Sequence, residues 1–454
     1  MTRLLLNGNA LHIPLATGSV QCVITSPPYW GLRDYGLPPT IWDSDPQCKH
    51  RWGNKIPPRP GRGNKPGNYS TSSLTNPDRQ DVLLRPKDAG AFCQRCGAWL
   101  GSLGLEPTPE LYVEHLVAIF REIRRVLRPD GTTWLNLGDS YFGDSPVRQK
   151  SIEAFSESWD PAQTRSRVGN RRSAGKMNDL KPKDIVGIPW MVAFALRADG
   201  WHLRSDVIWH KPNPMPESVT DRPTKVHEYV FLLTKSGKYF YDHDACREPQ
   251  TGNAHSRGKG LTPKTQPAGE KLIRANRTFH LSTSQYVDIP GGRNRRSVWT
   301  IPTQPYSGAH FAAFPEKLVE PMLLAGTSAA GCCPQCGSPY RRIIAKTKGK
   351  APSSYNGSSF NHGKTKASKQ SLSPVGEGER TIEHRTLGWR PTCKCNAGEP
   401  IPCLVLDPFA GTATVGRVAL KHRRRFIGID LKPDYLALAR DRTTNVQIAM
   451  PNPN

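Results

Sequence analysis

The sequence predicts an α/β fold with long loops between its elements. The end of the chain alternates strand and helix, and such alternation is typical of parallel sheets. A second αβ unit is predicted upstream, where an amphipathic helix from Pro109 is followed by the apolar strand Thr132–Leu137. Because 40 Gly and 42 Pro occur among 454 residues, long loops should interrupt this core. The apolar fraction of 36% excludes a wholly disordered chain.

The strands are predicted from short apolar runs bounded by proline, glycine or other turn residues. Two lie near the start of the chain, and the last two flank a turn that contains glycine. The predicted strands are Arg3–Leu6, Val20–Thr25, Thr132–Leu137, Leu203–Trp209, Glu228–Thr234, Cys403–Leu406 and Arg425–Ile429.

The helices are predicted from apolar residues spaced three or four positions apart. The helix from Pro109 should end at a tight turn over Arg128–Gly131. Its apolar face is formed by Leu111, His115, Ile119, Ile123 and Leu127. The predicted helices are Pro109–Leu127, Trp190–Ala198, Pro315–Ala325, Thr414–Lys421 and Pro433–Arg440.

The formal net charge is +25, from 63 Lys and Arg against 38 Asp and Glu. This excess is large for a soluble enzyme and indicates a polyanionic partner. Nucleic acid is favoured over a membrane because no basic amphipathic helix is evident, and a generally basic surface is the alternative. No run approaches the roughly 18 apolar residues of a membrane span, and the first residues lack a signal-peptide pattern. We therefore expect a soluble, cytoplasmic protein without a membrane partner.

Most of the 11 cysteines occur in close pairs, which in an intracellular chain indicates metal binding rather than disulfides. Two C-x-x-C-Gly segments are typical of zinc knuckles, because the tight turn directs both thiolates at one ion. The two predicted Zn²⁺ ligand sets are Cys48, His50, Cys93 and Cys96, and Cys333, Cys336, Cys393 and Cys395. Four protein ligands leave no open position, so both ions should be structural. Reduced thiols without metal, or Cys332 in place of Cys333, are the alternatives.

Polar, basic and Gly/Pro-rich inserts divide the predicted core into blocks. The inserts are Arg51–Asn76, Ser140–Lys183, Gly252–Arg296 and Lys346–Glu383. We predict core segments at residues 1–47, 105–245 (with the basic loop 140–183), 301–331 and 397–454. We predict zinc-ribbon inserts at residues 48–104 and 332–396, and a basic loop at 246–300.

The C-terminal strand and helix are joined by a turn that can hold a ligand. Asp407 ends a strand and Gly411 lies in the turn, so backbone N–H groups can approach a ligand closely. Asp430 ends the next strand about 20 residues on, where a carboxylate can accept hydrogen bonds from both hydroxyls of a ribose. Gly411 and Gly416 have the spacing of a phosphate-binding loop, but Arg417-Val418 replaces the required Lys-Ser/Thr. A plain βαβ unit with a glycine turn is the alternative.

The segment Thr25–Trp30, TSPPYW, directly follows the apolar run Val20–Ile24. Two prolines hold the backbone extended at the end of the strand, which fixes the Ser26 hydroxyl, the adjacent carbonyls and the Tyr29 ring. Acceptor oxygens beside an aromatic face suit a flipped base, whose exocyclic amine is hydrogen-bonded while its ring is stacked. A proline-rich turn that packs one tyrosine is the alternative.

With TSPPYW near one end and Asp407–Thr412, DPFAGT, near the other, the chain resembles the S-adenosylmethionine-dependent DNA amino-methyltransferases. The catalytic motif precedes the cofactor motif, which is the order of the β class. The resemblance extends over most of the chain, including Asp206–Ser218 and His310–Val319. It implies a Rossmann-like methyltransferase fold with a mixed, mostly parallel seven-stranded sheet assembled from both chain ends, together with the two zinc ribbons.

The resemblance also implies roles for individual residues. The implied catalytic residues are Ser26, Pro27, Pro28 and Tyr29. The implied cofactor-binding residues are Asn9, Phe314, Pro315, Asp407, Phe409, Gly411, Thr412 and Asp430. Asp430 would hold the ribose hydroxyls, Phe314-Pro315 would cover the methionine end, and Asn9 would lie near the adenine. Three positions depart from the frequent family pattern, with Ala413 for glycine, Asp430 for glutamate and Asn9 for aspartate.

The amine nitrogen of cytosine or adenine is a poor nucleophile because its lone pair is delocalised into the ring. Hydrogen bonds accepted by Ser26 and by the Pro27 carbonyl would localise that pair for direct attack on the sulfonium methyl. In this family a serine at the first motif position is associated with N4-cytosine, and aspartate or asparagine with N6-adenine. Ser26 therefore favours N4-cytosine in double-stranded DNA, with N6-adenine as the alternative. Cys22 and Cys403 lie in apolar strands and are expected to be buried thiols rather than C5 nucleophiles.

Target recognition is expected in the basic inserts Gly252–Arg296 and Ser140–Lys183. Lys and Arg supply phosphate contacts, whereas base reading needs a few Arg, Asn or Gln side chains in a groove. Solvated loops without base contacts are the alternative. A cognate restriction endonuclease is a candidate partner. Two rival functions are a zinc-ribbon DNA-binding protein whose methyltransferase core has lost activity, and methylation of RNA.

Overall fold

A computed structural model of the protein describes residues 2–32, 35–55, 90–142, 180–181, 183–214, 216–248, 293–304, 314–349 and 381–448. The chain forms two compact units. The larger unit comprises Met1–Ala245, Arg296–Arg341 and Trp389–Pro453. The smaller unit comprises Cys246–Arg295, Arg342–Gly388 and Asn454. Most of both predicted target-recognition inserts, at 143–179 and 252–292, lies outside the described residues, as do 56–76 and 350–380 of the other two inserts.

The described residues form thirteen strands and five helices. The strands are β1 (Arg3–Asn7), β2 (Val20–Thr25), β3 (Thr40–Trp42), β4 (Ala91–Phe92), β5 (Trp99–Gly101), β6 (Leu127–Leu137), β7 (His202–His210), β8 (His227–Thr234), β9 (Val298–Thr300), β10 (Arg341–Gly349), β11 (Thr381–Arg390), β12 (Leu404–Asp407) and β13 (Arg425–Asp430). The helices are α1 (Pro109–Val126), α2 (Ile188–Ala198), α3 (Glu316–Gly326), α4 (Thr414–Lys421) and α5 (Pro433–Thr444).

The main sheet has eight strands in the order β1-β13-β12-β2-β6-β8-β7-β9. Strands β1, β13, β12, β2 and β6 pair in parallel, and β8 runs antiparallel to both of its neighbours. The predicted mixed, mostly parallel sheet is confirmed, although it has eight strands where seven were expected. The additional strand β9 pairs with β7 along three residues, which is too short for a periodic pattern in the sequence.

Helix α1 begins with a cap that the sequence encodes, since the Thr108 hydroxyl accepts a hydrogen bond from the Leu111 N–H at 3.2 Å. The helix ends at Val126, and β6 starts directly at Leu127. The tight turn predicted over Arg128–Gly131 is therefore wrong. These residues form a bulge within β6, because Leu127 pairs with Val20 and Thr132 pairs with Cys22. Hydrogen bonds from the Arg128 side chain to Cys336 and Ser338 stabilise this bulge.

The core lies on both faces of the main sheet. On one face, α1 packs against α2 and β6, with Tyr112, Leu116 and Phe120 fully buried. On the other face, α3 packs close to β2 and β6, where a Cβ at Gly326 would lie 2.7 Å from the Cys22 Sγ. Alternate residues of a strand point to opposite faces of its sheet, which is why apolar residues fill both sides.

Two small sheets lie outside the main sheet and were not predicted. Strands β3, β5 and β4 form an antiparallel sheet, and β10 pairs with β11. The three-stranded sheet is held to α1 by His115, whose ring stacks between Trp42 and Trp99 at centroid distances of 4.3 and 5.3 Å. The His115 Nδ1 lies 3.0 Å from a carboxylate oxygen of Glu106. In the described part of the chain, no helix has the length and apolar character needed to cross a bilayer.

Candidate active site and cysteine clusters

The carboxyl ends of the parallel strands border a cleft of about 1370 Å³. Both sequence motifs contribute to it, because β2 and β12 pair in parallel and end at the same edge of the sheet. The predicted catalytic and cofactor residues that line the cleft are Asn9, Ser26, Pro27, Pro28, Tyr29, Phe314, Asp407, Phe409, Gly411, Thr412 and Asp430. Pro315 caps the amino end of α3 beside Phe314.

The loop after β12 is shaped by two carboxylates. One oxygen of Asp407 accepts hydrogen bonds from the Thr25 hydroxyl at 2.8 Å and from the Phe409 N–H at 3.1 Å. One oxygen of Asp430 accepts the Gly411 N–H at 2.8 Å, and the other accepts the Lys432 N–H at 2.9 Å. Each carboxylate oxygen has a second acceptor position. Asp430 therefore fixes the loop and retains acceptor capacity for a ligand in the cleft.

The turn of this loop requires left-handed backbone at Gly411 and Ala413, with φ of 49° and 56°. Glycine adopts this conformation without a Cβ clash, whereas a residue with a side chain incurs a cost of roughly 1–2 kcal/mol. The departure from the family pattern at Ala413 thus introduces backbone strain at the amino end of α4.

Asp407 should make the stability of the protein depend on pH. The residue is 2% exposed, and burial raises the pKa of its carboxyl from 3.8 to about 7, although Thr25 and the Phe409 N–H lower it. Between about pH 4 and pH 7, Asp407 therefore keeps its proton in the folded protein, whereas it has lost that proton in the unfolded chain. The free energy of unfolding should therefore fall as the pH rises from about 4 to about 7, by up to about 4 kcal/mol.

An Asp407→Asn variant should lose this part of the pH dependence. Urea unfolding between pH 4 and 8 should show the variant gaining stability relative to the wild type until about pH 7, with a constant difference above it. Asp434→Asn, at an exposed position in the first turn of α5, serves as the control and should follow the wild type. Parallel profiles for Asp407→Asn and the wild type would contradict the prediction.

A hydrogen-bonded group surrounds the Tyr29 hydroxyl. The Tyr29 hydroxyl donates a hydrogen bond to a Glu228 carboxylate oxygen at 2.8 Å. It accepts hydrogen bonds from the Ser26 hydroxyl at 3.1 Å and from the Asn136 amide at 2.6 Å. Asn136 also donates to Glu228 at 2.8 Å, and Lys211 forms an ion pair with the same carboxylate. Burial and the Glu228 charge raise the pKa of Tyr29 well above its usual range, so the phenol stays protonated.

Sequence reasoning missed Asn136, Lys211 and Glu228. A signal for Asn136 was present, because it is a polar residue between Leu135 and Leu137 in a strand that is otherwise apolar. Nothing in the sequence indicates that Glu228 lies beside Tyr29, because they are 199 positions apart.

Asn9 makes local contacts at the rim of the cleft. Its amide oxygen accepts the Leu11 N–H at 3.0 Å, and its amide nitrogen donates to the Thr40 hydroxyl at 3.4 Å. Asn9 therefore links the turn after β1 to the three-stranded sheet.

The first cysteine cluster comprises Cys48, His50, Cys93 and Cys96, whose ligand atoms lie within 4.8 Å of one another. The Cys48 and Cys93 sulfurs are 3.9 Å apart, and the Cys96 sulfur is 3.4 Å from the His50 Nδ1. Tetrahedral zinc, with bonds of about 2.3 Å to sulfur and 2.0–2.1 Å to nitrogen, requires about 3.8 Å between sulfurs and 3.6 Å from sulfur to nitrogen. The donor set therefore fits structural zinc.

Backbone donors favour the thiolate form at this cluster. The N–H groups of Arg51 and Arg95 each lie 3.4 Å from the Cys93 sulfur. Although burial alone would raise the pKa of Cys93, the backbone N–H groups of Cys96, Arg95 and Arg51, together with His50, lower it to about 6. A thiolate is the form that binds a metal ion.

The second cluster comprises Cys333, Cys336, Cys393 and Cys395, again with all ligand atoms within 4.8 Å of one another. Its knuckle is bonded to the amino ends of the parallel strands, at the opposite edge of the sheet from the cleft. The Arg128 guanidinium donates to the Cys336 carbonyl, and the Gln21 amide donates to the Gly337 carbonyl at 3.0 Å. Gln21 in turn accepts the Leu404 N–H at 2.6 Å. This cluster therefore anchors the bulge of β6.

Cys22 in β2 and Cys403 directly before β12 are buried, as predicted. Cys22 and Cys403 are both 0% exposed. Burial raises the pKa of Cys22 to about 12, and the neighbouring Cys332 together with burial raises the pKa of Cys403. Neither thiol is suited to act as a nucleophile.

Comparisons with known proteins relate this chain to the DNA methylases. The chain matches the family of N6/N4 methyltransferases described as DNA methylase over residues 20–333 and 402–441. It is 32% identical to the Type II methyltransferase M.XycI of Xanthomonas campestris pv. cyanopsidis, over 96% of this chain and 86% of that protein.

Two solved structures are also similar. The PvuII DNA methyltransferase (cytosine-N4-specific) matches with a TM-score of 0.44 and 13% identity, over 99% of this chain and 89% of that one. A putative DNA modification methylase from Thermus thermophilus, in complex with S-adenosyl-L-methionine, matches with a TM-score of 0.39 and 16% identity, over all of this chain and 99% of that one.

The family match includes both TSPPYW and the loop Asp407–Thr412. The relative at 32% identity covers nearly the whole chain, so the resemblance drawn from the two motifs is confirmed. The chain belongs to the N6/N4 family of DNA methylases, the methyltransferases that modify amino groups of DNA bases.

Proposed function

We propose that this DNA methylase transfers the methyl group of S-adenosylmethionine to the N4 amine of cytosine in double-stranded DNA. The observation that carries the proposal is the cleft itself, where Ser26 and Tyr29 line the same cavity as the loop that contains Phe409 and Gly411. Serine at the first motif position, which the family resemblance associates with N4-cytosine, supports cytosine over adenine.

The residues of the cofactor loop fit an adenosyl group. Asp430 lines the cleft, and its carboxylate oxygens accept the Gly411 and Lys432 N–H groups while other acceptor positions can receive the ribose hydroxyls. Phe314 and Phe409 supply apolar walls. When bound, S-adenosylmethionine supplies an electrophilic methyl group on a sulfonium sulfur.

The catalytic segment is proposed to hold the flipped base. Ser26 and the Pro27 carbonyl accept hydrogen bonds from the amine, which localises the nitrogen lone pair toward the methyl group. The Tyr29 ring stacks on the base. The Pro28 carbonyl accepts a hydrogen bond from the Tyr112 hydroxyl at 2.8 Å, so the backbone of the segment is fixed from α1.

The DNA, the two cysteine clusters and a partner enzyme belong to the same proposal. The net charge of +25 supports binding to DNA phosphates, and the two cysteine clusters would hold structural Zn²⁺ in zinc-ribbon inserts. Because M.XycI is named a Type II methyltransferase, a cognate restriction endonuclease is proposed as a partner.

The proposal is tested by incubating the protein with S-adenosylmethionine and unmethylated DNA of mixed sequence, followed by mass spectrometry of the nucleosides. We expect N4-methylcytosine, with Ser26→Ala and Tyr29→Ala reducing the product by about 100-fold or more. Ser19→Ala is the control and should retain activity, because Ser19 lies just before the first residue of β2, at the end of the strand away from Ser26.

Three outcomes would change the proposal. N6-methyladenine would retain the mechanism and overturn the assignment of cytosine. If the cofactor bound but no methylated base were formed, the protein would instead be a DNA-binding protein whose methyltransferase core has lost activity. Preferential methylation of RNA in a competition assay would overturn duplex DNA as the substrate.

Gly138→Ala should reduce methyl transfer without affecting cofactor binding. A Cβ at Gly138 would lie 2.7 Å from Cε2 of Tyr29 and 3.6 Å from Cδ of Glu228, so the ring must move. We expect a decrease of about tenfold or more in the single-turnover rate, because small displacements of positioned groups are costly. Gly237→Ala, where a Cβ meets no atom within 4 Å, is the matched control. An unchanged rate for Gly138→Ala would show that the ring position is not critical.

A further inference from the structure

Ser26, Tyr29 and Glu228 all line the cleft and form a continuous chain of hydrogen bonds along its wall. The Ser26 hydroxyl donates to the Tyr29 oxygen at 3.1 Å, and the Tyr29 hydroxyl donates to Glu228 Oε2 at 2.8 Å. The side chain of Glu228 is 16% exposed and that of Lys211, its ion-pair partner, is 20% exposed. The chain therefore ends at a largely buried carboxylate on the wall of the cleft.

The donor and acceptor roles in this chain are fixed by its two ends. An ionised carboxylate only accepts hydrogen bonds, so the single proton of Tyr29 must point toward Glu228. The Asn136 amide nitrogen only donates, and it reaches both the Tyr29 oxygen and Glu228. The Tyr29 oxygen is thus left as an acceptor for the Ser26 proton. Consequently the lone pairs of Ser26 are available to the cleft, which is what hydrogen bonding to an exocyclic amine requires.

We propose that Glu228 is a positioning residue for methyl transfer, orienting the Ser26 and Tyr29 hydroxyls and receiving, through them, the proton that the target amine loses. This inference rests on the proposed function and adds to it a defined destination for the proton. It does not depend on whether the amine belongs to cytosine or to adenine.

The proton transfer balances in charge and atoms. The amine nitrogen forms a bond to the methyl carbon as that carbon separates from sulfur, and the positive charge passes from sulfur to nitrogen. The nitrogen then releases a proton to the Ser26 oxygen, the Ser26 proton moves to Tyr29, and the Tyr29 proton moves to Glu228. The sulfonium charge and the carboxylate charge are both removed, so the cleft ends with no additional separated charge. Glu228 returns its proton to water after the product leaves.

The charged groups around Glu228 suit this role. Lys211, directly after β7, pairs with the carboxylate, while Lys225 and His227 act on it over a longer distance from the segment at the start of β8. These neighbours surround the carboxylate with cationic and basic groups. The Tyr29 phenol stays protonated, so it passes a proton on rather than storing a charge.

The test is a double-mutant cycle of Glu228→Gln and Tyr29→Phe, measured as single-turnover methylation with saturating cofactor and DNA. Tyr29→Phe retains the stacking ring and removes the hydroxyl. We expect each single variant to be slower by about 100-fold, and the double variant to be no slower than the slower single variant, because both changes break one chain. Binding of cofactor and DNA should be unchanged within about threefold, since acid-base groups act on the chemical step.

A pH profile separates proton transfer from a purely structural role. Between pH 6.5 and 9 the rate of Glu228→Gln should rise more steeply than that of the wild type, because solvent base must replace the missing acceptor. Glu320→Gln, which removes the carboxylate on α3 that pairs with His422 at the end of α4, should match the wild type at each pH.

Several outcomes would overturn the inference. The first is a double variant whose rate loss equals the product of the losses in Glu228→Gln and Tyr29→Phe. The second is a Glu228→Gln rate within about threefold of the wild type. The third is a pH profile of Glu228→Gln that runs parallel to that of the wild type. If Glu228→Gln failed to fold, a Tyr29→Phe rate equal to that of the wild type would equally exclude the chain. Absence of methylated product from the wild type would instead refute the proposed function.

Discussion

Replacing Cys336 with serine is expected to lower the melting temperature of the protein by about 10 °C or more. Structural zinc in small domains contributes roughly 10–16 kcal/mol of apparent binding free energy, much of which is lost with one ligand. About 1 kcal/mol corresponds to 2–4 °C in a domain of 150–250 residues, so a loss of several kcal/mol gives a shift of this size.

The consequence should extend beyond the knuckle because of its contacts. Its carbonyl groups accept hydrogen bonds from Arg128 in the β6 bulge and from Gln21 in β2. If the knuckle were lost, the Arg128 and Gln21 side chains would no longer have these carbonyl acceptors. Each lost acceptor would lower the free energy of unfolding by about 1–3 kcal/mol. The central strands of the main sheet should therefore be destabilised together with the cluster.

The measurement combines thermal unfolding with the zinc content of the purified protein. We expect two zinc ions per wild-type chain and one in Cys336→Ser. Cys22→Ala, which changes a buried cysteine outside both clusters, should keep both ions. A wild-type protein without zinc, or a Cys336→Ser variant as stable as the wild type, would show that the cysteines act only as packed thiols.

Asp430→Ala is expected to weaken the binding of S-adenosylmethionine by about 100-fold or more. The substitution removes both hydrogen bonds that hold the cofactor loop and the adjoining turn, at Gly411 and Lys432. It also removes the proposed acceptors of the ribose hydroxyls. Hydrogen bonds to charged groups contribute about 1.5–3 kcal/mol each, so the loss of two corresponds to at least this factor.

Isothermal titration calorimetry with S-adenosylmethionine in the absence of DNA isolates this effect from catalysis. Asp434→Ala, an exposed carboxylate in the first turn of α5, is the matched control and should bind as the wild type does. Asp430→Ala binding within about threefold of the wild type would contradict the role given to this carboxylate.

The sequence predicted the main elements because their signals are local. Val20–Thr25 is a mostly apolar segment, and it forms a strand in which every residue is buried. Thr414–Lys421 follows a glycine turn and forms α4 with the predicted bounds. Strands β4 and β9 were missed because two or three residues carry no periodic pattern, and they form only where β5 and β7 supply backbone partners.

The family, the two motifs of the cleft and the residues of both cysteine clusters could all be read from the amino-acid sequence, because residue type and spacing along the chain encode them. What lies beside those residues depends on the tertiary structure. Glu228 reaches Tyr29, Arg128 reaches the Cys336 carbonyl, and the turn expected after α1 becomes a bulge in a continuous strand. These contacts join residues far apart in the chain, and their stability arises from burial and hydrogen-bond partners that exist only once the sheet has formed.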